Sequence, residues 1–158
     1  MADLNPAKSS LLMVDKMGLV VLAKHAIATI FGIFFINVGI AHFTDTRWFE
    51  PIVPEALGDP TIWVLITGII EIVLGIGMVI PQSRRYFSIL TVLFLLAVYW
   101  ANYNMWVNDI PLDNQTFATI WHVLRLIAQA LMILIALWIG GWLQQSNKSM
   151  RHQQQSHK

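Results

Sequence analysis

The chain has 158 residues, 56% of them hydrophobic and 12% charged, with a formal net charge of +1. That length suits one domain, but the balance is too apolar for a soluble one, so the excess apolar surface must face lipid. A net charge this close to zero leaves no electrostatic footprint for nucleic acid, and the absence of cysteine excludes disulfides, thiolate metal sites and dithiol relays.

Residues 1–18 are of mixed composition and lack the layout of a removable signal peptide, a basic stretch leading directly into a short apolar core and a small-residue cleavage site. Leu11, Leu12, Met13, Val14 and Met17 suit either a short helix lying on the inner membrane surface or a disordered lead-in. Four stretches follow that are each long enough to span a bilayer as a helix: 19–43, 61–80, 86–106 and 119–143. In the first, Gly32 and Gly39 lie nearly two turns apart on one face, where a neighbouring helix can approach closely, and His42 ends that face.

The connection between the first two spans holds three prolines and four acids around Trp48, Phe49, Ile52, Val53 and Leu57, which predicts an ordered cap. In the second span Glu71 interrupts an apolar run, on the same face as Thr67, Gly68, Gly75 and Met78, so its carboxylate leaves a groove of small residues. The third span carries Asn102 near its outer end. The fourth carries His122, Arg125 and Gln129, spaced three and four apart and so on one polar face. Tryptophans fall near the span ends as an interfacial belt. The triplet Asn114-Gln115-Thr116 matches a glycosylation acceptor at the level expected by chance.

Lys8, Lys16 and Lys24, the pair Arg84 and Arg85, and Lys148, Arg151 and Lys158 all fall on one side of the spans, while the acids of the first and third connections fall on the other. By the positive-inside rule both termini are cytoplasmic. The expected architecture is therefore all-α: an integral membrane four-helix bundle of the inner membrane, with a cytoplasmic N-terminal segment 1–18, a four-span domain 19–143 and a disordered cytoplasmic tail 144–158.

Glu71 and Arg125 are the two formal charges inside the apolar runs, and a charge at that depth costs about 2.5–3.5 kcal/mol unless compensated. From a rise of about 1.5 Å per residue, Glu71 lies near the midplane and Arg125 a little further out, close enough for an inward-reaching guanidinium to meet the carboxylate. With His42, Asn102, His122 and Gln129 they are expected to converge in a pocket open to the outer face. The structural alternative is a buried ion pair and interhelical hydrogen bonds that serve packing alone, although a buried pair is a poor source of stability. His42 and His122, on different helices at matching depth, also have the layout of axial haem ligands, but that spacing is unspecific.

These residues form a pattern that resembles the DoxX-like family of small four-helix membrane proteins. The likeness runs from about 27 to 138: His42-Phe43, Pro51 and Pro54, Gly68-Ile69-Ile70-Glu71 with Gly75, Ala101-Asn102 followed by Met105, and Leu124-Arg125-Leu126 with Gln129. Trp100 and Ile127 stand where relatives often have proline, and the cysteines of some redox-associated relatives are missing. The resemblance implies a role such as a subunit of a quinone-linked oxidoreductase, a component of a redox-defence complex or a receptor-assembly helper.

The leading expectation is a membrane subunit that binds a small polar headgroup, with a quinone as the candidate ligand, inside a larger redox or respiratory assembly. Arg125 and Gln129 would donate to the headgroup, Glu71 would hold Arg125, and His42 or His122 would exchange protons. Other membrane subunits or further copies of the chain are the expected partners besides lipid. The alternatives are a non-catalytic assembly subunit whose small-residue faces grip partner helices, and haem-mediated electron transfer. No metal site is expected, and nothing in the sequence demonstrates catalysis.

Overall fold

The computed structural model describes residues 6–112 and 115–143. These form α1 (Pro6–Thr44), a short α2 (Thr46–Phe49), α3 (Pro60–Val79), α4 (Arg84–Val107) and α5 (Thr119–Ile139). Four helices are long and apolar enough to cross a membrane: 16–44 of α1, then α3, α4 and α5. Their sides are those of a lipid-facing bundle, with Ile30, Leu93, Leu96, Leu131 and Leu134 each more than half exposed at mid-span. The tail 144–158 and Asn114 lie outside the described residues.

Two expectations change. Residues 6–18 do not form a separate surface helix but continue into the first span, giving a single helix of 39 residues. Pro6 stands at the first helical position, where its missing N–H is harmless, and the lone Gly18 is too weak a breaker to end a helix. The fourth span stops at Ile139 instead of 143, because Gly140 and Gly141 follow and Gly141 takes φ +80.

The first connection is ordered, as its composition predicts. Two 3₁₀ turns (Glu50–Ile52 and Glu55–Leu57) follow α2. Thr61 Oγ1 donates to Glu50 Oε1 at 2.7 Å, Trp63 Nε1 donates to the Leu57 carbonyl at 2.8 Å, and Asp59 caps α3 by accepting from the Thr61 N–H at 3.0 Å. The cap is thereby tied to the start of α3.

Helices α1 and α3 pack antiparallel on a matched pair of motifs. Gly-Ile-x-x-Ile-x-x-Gly-Ile occurs at 32–40 and again at 68–76. A Cβ on Gly32 would lie 2.6 Å from the Gly75 carbonyl oxygen, and one on Gly75 would lie 2.6 Å from that of Gly32. Gly39 and Gly68 repeat the contact at the other end, at 2.7 and 3.0 Å. The reciprocity gives the helix pair a local two-fold arrangement in which backbone meets backbone, the approach that small residues permit in membranes. At the far end of α3, Arg84 Nε donates to the Met78 carbonyl at 2.9 Å and its Nη2 to that of Val79 at 3.0 Å, satisfying terminal carbonyls that the helix leaves open.

Helices α4 and α5 join through side chains instead. The buried Gln129 amide donates to the Leu95 carbonyl, and Trp142 Nε1 donates to Ser88 Oγ at 3.1 Å. Between the two pairs lies an apolar core of Ala28, Phe31, Phe35, Leu74, Met78, Leu95, Ala136 and Ile139.

Candidate functional site

The glycine register decides what Glu71 meets. A Cβ on Gly68 would lie 2.7 Å from the Cβ of His42, so glycine at 68 is what lets the last turn of α1 fold down onto α3. One turn on from Gly68, Glu71 Oε2 lies 3.2 Å from His42 Nδ1, and the two side chains are only 13% and 10% exposed. The same Nδ1 is 2.8 Å from the Val38 carbonyl. A carbonyl can only accept, so Nδ1 carries a hydrogen, and that hydrogen is aimed at Val38. The carboxylate oxygen is thus within ion-pair distance of the imidazole yet receives no hydrogen bond. Phe49 of α2 closes the other face of the ring, stacked at 4.0 Å and 17°.

A second cluster lies where α4 meets α5. His122 is 5% exposed and stacks parallel to Trp106 at 5.7 Å, with Phe117 edge-on at 6.5 Å. Its Nδ1 is buried and has no hydrogen-bond partner among the described residues. One turn along α5, Arg125 Nη1 donates to the Met105 sulfur at 2.7 Å, and its guanidinium carbon lies 4.8 Å over the Phe117 ring. A thioether is a weak acceptor and a ring face weaker still, so the strongest donor group of this span is engaged by the softest partners available.

The expected ion pair between Glu71 and Arg125 does not form. Glu71 pairs with His42, because α3 packs on α1 through glycine and the carboxylate meets that neighbour first, while Arg125 turns toward α4. Gln129, expected to donate to a headgroup, gives its amide to Leu95 and ties α4 to α5. Asn102 is half-buried on α4, one turn before Met105. The six residues therefore divide into the His42–Glu71 pair, the His122–Arg125 cluster, Asn102 on α4 one turn before Met105, and Gln129 as a helix clamp.

Several participants were not expected at the site: Met105, named only in the resemblance motif, and Phe117 around Arg125, Phe49, expected only in the cap, on His42, and the fully buried Ser88 and Thr91 of α4. Thr91 Oγ1 also lacks a hydrogen-bond partner among the described residues. The i, i+3 spacing of Ser88 and Thr91 inside an apolar helix is a signal that could have found them. Among the described residues no group of three or more His, Cys, Asp or Glu side chains is placed to hold a metal ion.

Over residues 31–140 the sequence matches the family described as Domain of unknown function (DUF8561). The chain belongs to this family. The matched segment contains both glycine pairs and all six candidate residues, and ends where α5 ends. No curated protein and no solved structure matches the chain. Nothing in these comparisons links this DUF8561 member to the DoxX-like family.

Proposed function

We propose that the protein is a multi-pass subunit of an inner-membrane redox assembly that binds a small polar headgroup of the quinone class at the His122–Arg125 cluster. Both termini are cytoplasmic in this reading, which follows the basic residues, and the cluster then belongs to the outer half of the bilayer. The resemblance to DoxX-like proteins supplies the redox context.

The observation that carries the proposal is Arg125, a guanidinium engaged, among the described residues, by a thioether and a ring and by no carboxylate, one turn from a buried imidazole nitrogen with no hydrogen-bond partner among them. A carbonyl or anionic oxygen is a far better acceptor than sulfur, so a ligand oxygen would draw Arg125 away from Met105. His122 would meet the same headgroup through Nδ1, and Trp106 and Phe117 offer flat surfaces to a planar ring. His42 and Glu71 supply an acid–base pair on the neighbouring helices.

Titration of the purified protein with a short-chain benzoquinone, followed by tryptophan fluorescence, tests the assignment. Arg125→Met should weaken binding about 10- to 100-fold, the range for loss of a charged hydrogen bond. Unchanged affinity in a variant that still inserts and folds would overturn it.

A second reading, a non-catalytic assembly subunit, is favoured by Gln129, a buried polar group devoted to packing. Its grip on partner helices or on further copies would have to use lipid-facing sides, because Gly32, Gly39, Gly68 and Gly75 are occupied within the chain. A partner protein that co-purifies in mild detergent, with no bound small molecule, would favour it. Haem transfer would need His42 and His122 to leave Glu71 and Trp106, and an absorption spectrum without a Soret band removes it.

A further inference from the structure

A guanidinium keeps its positive charge in any surroundings a protein offers, so a charge placed inside the bundle calls for a counter-charge. Arg125 is half-buried within its span, and its partners there, the Met105 sulfur at 2.7 Å and the Phe117 ring at 4.8 Å, carry no formal charge. The acids of α3 and of the first and third connections are engaged elsewhere or exposed. Glu71 lies against His42, Glu50 accepts from Thr61 and Asp59 caps α3, while Asp45, Glu55 and Asp109 are exposed. Among the described residues no carboxylate lies within ion-pair distance of Arg125.

The missing counter-charge has a shape. A guanidinium holds its N–H donors in a rigid planar fork, and here one of them goes to sulfur. Two neighbouring oxygens fill such a fork, and they accept more strongly when they are ionised. His122, about 4.5 Å along the helix axis from Arg125, has Trp106 stacked on it and Phe117 edge-on. Flat aromatic side chains therefore border the fork, which suits a planar ring better than the end of an acyl chain.

We propose that the ligand of this cluster is bound as an anion, a quinone ring that carries an ionised hydroxyl beside one of its carbonyls. The inference rests on the quinone-class reading above and narrows it to a hydroxyquinone. The ionised oxygen and the adjacent carbonyl oxygen enter the fork of Arg125 in place of Met105 and balance its charge within the span. A neutral quinone offers the fork a carbonyl but leaves the charge uncompensated, the costlier arrangement away from water. A fatty-acid carboxylate presents the same pair of oxygens without the ring, and the aromatic neighbours select between the two.

Isothermal titration calorimetry of the full chain in mild detergent at neutral pH tests the inference with three probes: lawsone, a naphthoquinone whose acidic hydroxyl is ionised under these conditions, its neutral methyl ether, and decanoate. Lawsone should bind at least about tenfold more tightly than either of the others, the gain expected when an acceptor becomes charged. Arg125→Gln keeps an amide donor but removes the charge, and should bring lawsone and its ether to within about twofold of each other. Lys16→Gln removes a charge at the opposite end of the bundle and should leave the preference intact, which separates a site from general attraction. Equal affinity of the wild type for lawsone and its ether would overturn the anion and leave the quinone-class reading standing, whereas binding of neither would overturn both. Decanoate binding as tightly as lawsone would overturn the ring. A preference that survives Arg125→Gln, or disappears in Lys16→Gln, would remove it from this cluster and overturn the proposal. The wild-type comparison decides the matter even if Arg125→Gln fails to fold.

Discussion

The two ends of the α1–α3 pair make an internal comparison. The motif Gly-Ile-x-x-Ile-x-x-Gly-Ile, met by its own antiparallel copy, gives each end the same backbone contact. In that register the third residue after each glycine has a counterpart at the other end: His42 corresponds to Met78, and Glu71 to Phe35. Met78 and Phe35 are 1% and 4% exposed and belong to one apolar core. The fold therefore fills one end of a repeated arrangement with hydrocarbon and the other with an imidazole and a carboxylate. Packing does not demand the polar pair, since the same packing is achieved without it a few turns away. That difference supports the acid–base role proposed for His42 and Glu71.

The sharpest way to break the comparison is at its glycines. Gly32→Ala and Gly75→Ala each bring a methyl group to 2.6 Å from a carbonyl oxygen on the facing backbone, and each should cost about 1–3 kcal/mol, the usual range for overpacking. Unfolding in a denaturing detergent, monitored by circular dichroism, measures this. Gly68→Ala should cost a similar amount and in addition displace His42 from Glu71, so this end alone should couple loss of stability to a changed His42 imidazole signal by NMR. An unchanged His42 signal in Gly68→Ala would remove the distinction between the ends.

Giving the polar end the residues of the apolar one sharpens the same point. The double variant His42→Met, Glu71→Phe should fold with stability unchanged or raised by about 1 kcal/mol or more, since apolar replacements of buried ion pairs are often stabilising. The carboxylate oxygen that receives no hydrogen bond adds to that expectation. Glu71→Phe alone should do worse than the pair, because His42 is left buried without its counter-group. A double variant that fails to fold would show the polar pair to be structural. The smallest effect is expected at Gln129→Leu, about 0.6 kcal/mol, the mean for an interhelical hydrogen bond in a membrane bundle. The same unfolding assay reads it.

Much of the architecture was legible in the chain. The apolar runs predicted four spans, Gly32 and Gly39 predicted a close helix contact, and the composition of the first connection predicted an ordered cap. The functional candidates were legible as residues but not as partners. Glu71 was expected to meet Arg125 because both are charged and near in depth, yet the carboxylate meets the imidazole. Met105 was legible only as part of the motif that resembles DoxX-like proteins, since a methionine in an apolar span shows no role of its own until a guanidinium is found on its sulfur.

Hydropathy and helical periodicity depend only on the order of residues along one helix, so length, span number and the face on which each polar group lies follow from the sequence by itself. Which helix receives that face is a relation between segments far apart in the chain, and four spans admit several neighbour arrangements at equal hydropathy. The tertiary structure chose among them through the shape of the glycine faces, where two backbones come close enough to lock in register. With that register set, Glu71 met His42, and Arg125 was left to sulfur and an aromatic ring.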